Sequence, residues 1–165
     1  MKIGKGMGVL AARRHKVFMT RSASMFRSLA ERHEKAGQPP MAWCGCVVTL
    51  PAFRELMMGG LDNGLCCYCK ETLTVKTISA DHAVPLARGG SSAFENIDFI
   101  CSGCNRAKGA FTKMEFYGLR NALASLSATY PQSNIMGHVL KSLKIANSFR
   151  FGSDRRSKEG KEAAL

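Results

Sequence analysis

No apolar run in the chain approaches the length needed to cross a bilayer, and that absence excludes membrane-spanning classes built from helices. Acid is scarce: 12 Asp and Glu stand against 24 Lys and Arg, for a formal charge of +12. The seven cysteines are odd in number and follow no secretory leader pattern, so a disulfide framework is not expected. No internal repeat is visible. At 165 residues the chain suits one domain with appendages, and a core of that size often needs a metal or disulfide staple.

The positive charge is unevenly spread. Residues 1–40 carry nine Lys or Arg against two Glu, and residues 111–165 carry nine against four. Between them, residues 61–110 hold five bases and five acids. Two basic flanks around a neutral middle suit a polyanion, because Lys and Arg on phosphates release counterions. A solvated basic surface gives the same composition. The N-terminal stretch "MKIGKGMGVLAARRHKVFMTRSASMFRSLA" has no acid and is rich in Arg and Ser, which fits an organelle transit peptide but also a nucleic-acid-contacting arm.

Three segments are expected: a basic arm and helix over 1–40, a core over 41–110, and helices with a basic tail over 111–165. The arm is read as mobile over residues 1–20, with a helix from about Ser24 to Lys35 that buries Phe26, Leu29 and Ala30 and stops at "GQPP". Trp43 to Leu50 reads as a buried strand or connection. "PAFRELMM" reads as a short helix ended by Gly59 and Gly60, and Asp62 to Gly64 as a turn. Leu73 to Asp81 reads as extended, either straight or with a bend, and Asp98 to Ile100 as extended, with "ARGGSS" as a loop between them. Helices follow from Ser102 to about Gly109, from a capping box "TKME" to about Leu126, and over Ile135 to Ile145 with Ile135, Val139, Leu140 and Leu143 inward. "YPQSN" breaks the chain between the last two, and the end is expected to fray.

Two Cys-x-x-Cys pairs, Cys66/Cys69 in "CCYC" and Cys101/Cys104 in "CSGC", carry the strongest spacing signal. Two residues between thiolates let both sulfurs reach one ion from a tight turn, and two such turns complete a tetrahedron around Zn²⁺. Cys67 is left over. Cys44 and Cys46 flank Gly45 and are more simply read as small core residues than as ligands.

Between the pairs lies chemistry suited to phosphodiester hydrolysis: a Lewis acid on phosphate, an activated water and charge relief at the leaving oxygen. Asp81 and Asn105 offer hard oxygen ligands for Mg²⁺, and the His82 imidazole takes a proton near neutral pH. Arg88 and Lys108 are candidates for phosphate contact, joined by Arg13, Arg14 and Lys16 in the basic arm. His15, His33 and His138 lie outside this constellation and are read as incidental.

Over about residues 66–110 the strings "DHAVPLARGG" and "FENIDFICSGCNRAKG" resemble the HNH endonuclease family, in the form with two Cys-x-x-Cys pairs. The resemblance implies an α+β fold with a small ββα-metal core, stapled by structural zinc and flanked by helices. It implies that Asp81 binds the catalytic metal, that His82 is the general base, and that Asn96 organises the loop holding the base. The last motif position is Asn105 rather than His, which favours Mg²⁺ or Mn²⁺ over a softer ion. DNA, double-stranded, is the implied partner, with phage or mobile-element (homing-type) origin and a cytoplasmic setting in a bacterial or phage-infected cell. Organelle import is the second reading of location. A monomer or a homodimer is compatible. The competing reading of function is a zinc-stabilised module that grips DNA without cutting it.

Overall fold

The computed structural model describes residues 5–129 and 134–143, with side chains from residue 11 onward. The chain forms two compact units, Met1–Cys101 and Ser102–Leu165. The fold is α+β, with helices and two small antiparallel sheets.

The first unit opens with α1, Lys5–Lys35, which runs through the stretch expected to be a mobile arm. Residues 11–21 hold Ala, Arg, Lys and Met and no proline, so nothing in them ends a helix that begins upstream. Ser22, Phe26, Leu29 and His33 follow one another at steps of three and four residues along one face, and Ser22, Leu29 and His33 are buried. Ala30 is exposed, contrary to the expected inner face. Gly37 ends the helix at φ +64°: its N–H reaches Glu34 O at 3.0 Å and Gln38 N–H reaches His33 O at 2.9 Å. These two bonds form a Schellman cap, in which glycine takes the left-handed position without steric cost.

A hairpin follows, β1 (Ala42–Trp43) paired antiparallel to β2 (Cys46–Val47). Its two-residue turn is Cys44-Gly45, with both φ positive at 49° and 80°. That is the primed turn whose twist matches a hairpin. In place of the expected buried segment, Trp43 and Val47 are exposed, as are Cys44 and Cys46. So short a hairpin offers one face to the core through its flanks, Met41 and Val48, and leaves its tip in water.

The next helix, α2, spans Leu50–Asp62. Thr49 caps it, its hydroxyl accepting from Ala52 N–H at 3.4 Å, and Pro51 sits in the first turn. It passes straight through Gly59 and Gly60, the expected stop. Gly60 serves packing instead: a Cβ there would lie 2.8 Å from Phe99 Cδ2. Phe99 in turn stacks against Phe53 of the same helix, with ring centroids 5.8 Å apart.

The main sheet is β3 (Ile78–His82) against β4 (Ile97–Cys101), antiparallel, with Ile78 opposite Cys101, Asp81 opposite Asp98 and His82 opposite Ile97. Residues 74–77 form a turn held by Thr74 and Thr77, the bend that the sequence left open, and β3 starts after it. The core joins Leu29, Met41, Val48, Phe53, Met57, Ile78, Ala80 and Ile97. The Arg21 guanidinium donates to Ile78 O at 2.8 Å and ties α1 to the start of β3.

In the second unit, α3 (Ser102–Lys108) ends at Gly109, φ +52°, as its sequence suggests. Next, α4 spans Lys113–Thr129 and carries the expected capping box: Thr112 N–H donates to Glu115 Oε2 at 2.8 Å, and Glu115 N–H to Thr112 Oγ1 at 3.3 Å. Residues 135–143 form α5, with Ile135, Val139, Leu140 and Leu143 half-buried as the periodicity requires. Most of the "YPQSN" break, Ile145 and the charged end lie outside the described residues.

Candidate metal centre and catalytic strand

The first cysteine pair sits in a small hairpin closed by a bridge between Leu65 and Thr72. Cys66 N–H bonds Glu71 O and Lys70 N–H bonds Cys66 O, both at 2.9 Å, with Lys70 left-handed at φ +61°. The second pair straddles the end of β4, with Cys101 as its last residue and Cys104 one turn further on. The sulfurs of Cys66, Cys69, Cys101 and Cys104 all lie within 4.8 Å of one another. Cys69 and Cys101 are 3.7 Å apart, against about 3.8 Å for the edge of a tetrahedron with Zn–S bonds of ~2.3 Å.

Burial, followed by the crowding of Cys101 and Cys66, pushes the Cys69 thiol up to about 12. Neighbouring thiolates repel in a dry site, and a bound cation reverses that balance by holding them deprotonated. The donor set therefore fits a soft, tetrahedral ion. Cys67 is half-buried, and it stands apart from the four-sulfur group, as do the exposed Cys44 and Cys46.

Asp81 and His82 are carried by β3. Its pleat puts Ile78, Ala80 and His82 on one face and Ser79 and Asp81 on the other. Asp81 and His82 are both buried. Asp81 shares its face with Asp98 directly across the ladder, so two carboxylates lie side by side there. Burial, with the nearby Cys67 and the negative field of these two carboxylates, pushes the Tyr68 hydroxyl strongly upward.

His82 lies on the face that α1 packs against, and its Nε2 is 2.8 Å from Nε2 of His33. The two rings meet edge to face, with centroids 5.1 Å apart. His33, incidental by sequence, is thus part of the site. The signal that could have found it is its spacing: it stands four residues after Leu29, where the helix pattern calls for an apolar side chain. Burial, then the neighbouring Arg32 charge, holds the His33 pKa below the ordinary histidine value.

Asn96 closes the loop that leaves β3. Its Oδ1 accepts from Val84 N–H at 2.8 Å, and its Nδ2 donates to Val84 O at 2.9 Å and Ser91 O at 2.8 Å. Its carbonyl takes Ala83 N–H at 2.7 Å. Gly90 lets the loop fold back on itself, since a Cβ there would fall 1.9 Å from Val84 O. Asn105 lies in the first turns of α3 and is half-buried.

Arg88 is exposed at the end of the loop's short 3-10 turn, Leu86–Arg88. Lys108, expected on a phosphate, is fully buried, so its ammonium is not presented to a surface ligand. Arg13, Arg14 and Lys16 are exposed on α1. Arg13 and Arg14 also line a groove of about 650 Å³ with Val17, Thr74, Val75 and Lys76. Sequence alone does not place Lys76 beside them, because it lies far along the chain from α1. Among the described residues no helix is long and apolar enough to cross a membrane.

No curated protein sequence matches the chain. Residues 66–118, the span that runs from Cys66 through β3, β4 and α3 into α4, do match the family model described as HNH endonuclease.

Proposed function

We propose that the chain is a metal-dependent endonuclease that hydrolyses phosphodiester bonds of double-stranded DNA. The observation that carries this reading is the pairing of a family-matched strand end, Asp81-His82, with a buried histidine partner for the imidazole. A module that only grips DNA has no use for a buried, hydrogen-bonded imidazole beside a carboxylate.

Asp81 and Asn105 are the residues that would hold Mg²⁺ or Mn²⁺, as hard oxygen donors. Once bound, such an ion polarises the scissile phosphate and relieves charge at the leaving oxygen. His82 removes a proton from water; the resulting hydroxide bonds to phosphorus, the bond to the leaving oxygen breaks, and that oxygen takes a proton from solvent. Asn96 keeps the loop beyond β3 in shape. Arg88, Arg13, Arg14 and Lys16 are the exposed cations assigned to phosphates, and burial removes Lys108 from that role. A phage or mobile-element setting, in the bacterial cytoplasm, suits a small basic nuclease of this kind.

The test is plasmid cleavage with and without Mg²⁺ by the zinc-loaded chain and by His82→Ala. His82→Ala should keep the fold and DNA affinity and lose roughly two to four powers of ten in rate, the usual contribution of a general base. Unchanged turnover in the purified variant, or no cleavage by the parent chain, refutes the nuclease reading and leaves the non-cleaving DNA-binding module.

A further inference from the structure

We infer that His33 is a positioning residue for His82: it accepts the His82 Nε2–H and so leaves Nδ1 as the nitrogen that receives the proton of the attacking water. The inference rests on His82 acting as the base. Its structural ground is the 2.8 Å contact between the two Nε2 atoms, inside a site where His33 and His82 are almost wholly buried.

A hydrogen bond between two imidazoles needs one N–H and one lone pair. Two arrangements satisfy it. If His33 donates, His82 must carry its proton on Nδ1 and has no lone pair left for water. If His82 donates, His33 carries its own proton on Nδ1, and Nδ1 of His82 is a base. Only the second permits catalysis. His33 Nδ1 is buried with no hydrogen-bond partner among the described residues; it holds a lone pair in the first arrangement and a proton in the second, so the choice between them rests on the chemistry required of His82.

An imidazolium at His33 is disfavoured, because its added Nε2–H would face the Nε2–H of His82 with no acceptor between them. Burial and the Arg32 charge also lower the His33 pKa, which favours the neutral ring. When His82 gains the water's proton, its Nε2–H points at a neutral acceptor, and no second cation stands against it. The logic is that of an orienting group behind a catalytic imidazole, which fixes tautomer and ring plane without touching the substrate. The backbone supports it as well: the cap at Gly37 holds the His33 carbonyl through Gln38 N–H at 2.9 Å, so the ring is carried by a closed helix end.

The experiment uses the full, zinc-loaded chain with His33→Gln, His33→Leu and His82→Ala. Nitrogen-15 spectra of the histidine rings should show His82 as the Nε2–H tautomer, coupled across the hydrogen bond to His33. Under single turnover with saturating plasmid and Mg²⁺, His33→Leu should cut roughly ten- to a hundredfold more slowly with DNA affinity and zinc content unchanged. That loss is milder than the wrong-tautomer loss of about 10⁴ seen in a serine-protease triad. His33→Gln, whose side-chain oxygen accepts the same N–H, should recover most of the rate. A purely structural role would make rate follow melting temperature in both variants, with no advantage for Gln. Should His33→Leu fail to fold, the Gln variant and the tautomer measurement still decide. An Nδ1–H tautomer at His82, or wild-type cleavage by His33→Leu when His82→Ala is inactive, overturns the inference alone. Unchanged cleavage by His82→Ala overturns the nuclease reading, and with it the base that His33 positions.

Discussion

Replacing Asn96 by Asp exchanges one side-chain group for another of the same shape and reverses its hydrogen-bonding sense. The Nδ2 that donates to Val84 O at 2.9 Å and Ser91 O at 2.8 Å becomes an acceptor, while Oδ1 can still receive Val84 N–H. Two donated bonds vanish, and a carboxylate oxygen then faces two carbonyl oxygens. Each neutral bond contributes about 1 kcal/mol net, so removing the pair costs about 2 kcal/mol before repulsion is counted. The loop cannot relieve the clash by closing up, because it already passes within contact distance of its own backbone at Gly90. It must open to water instead, and the half-buried setting of Asn96 makes that possible. We expect a total loss of about 2–3 kcal/mol, or a Tm lower by roughly 5–10 °C for a chain of this size. Asn96→Ala breaks all three bonds but adds no charge, so by the same count it should lose about 3 kcal/mol. Thermal unfolding in zinc-saturated buffer near neutral pH, followed by circular dichroism, should place both variants below the parent. Asn96→Asp as stable as the parent would show that the two carbonyls do not depend on this amide.

The cysteine cluster should hold one Zn²⁺ per chain, with Cys66→Ser or Cys104→Ser lowering Tm sharply and the exposed Cys46→Ser leaving it near the parent value. Elemental analysis that finds active protein free of zinc would remove this expectation. Gly59→Ala should stabilise α2 by about 0.5–1 kcal/mol, since nothing lies near its added methyl. Gly60→Ala gains the same propensity but forces Phe99 aside at a cost of about 1–3 kcal/mol, so denaturant melts should rank it below its neighbour. Converting Arg13, Arg14 and Lys16 to Gln should lower the log–log salt slope of duplex binding by roughly 0.9 for each phosphate that is no longer neutralised. An unchanged slope would place the DNA elsewhere. Point substitutions are preferred to deleting residues 1–20, because the deletion would remove half of the helix that carries His33.

Much of this was local information. Cysteines two residues apart, a Thr-x-x-Glu box before Lys113 and a Gly at the end of α3 each act over one turn of chain, and the structure agrees with all three. The two extended segments that become β3 and β4 were also legible, and the stretch that matched the HNH endonuclease model lies within 66–118. What sequence left undecided depends on what a residue meets far along the chain. Gly60 reads as a helix stop until Phe99, almost forty residues away, occupies the space its Cβ would need. A lysine such as Lys108 reads as a surface cation, and only packing puts it in the interior. His33 reads as an ordinary polar residue in a helix, and only the docking of α1 on β3 brings its ring to His82 across 49 positions of sequence. Short-range geometry is written in spacing and residue type; partners across the fold are chosen by burial, which spacing alone does not assign.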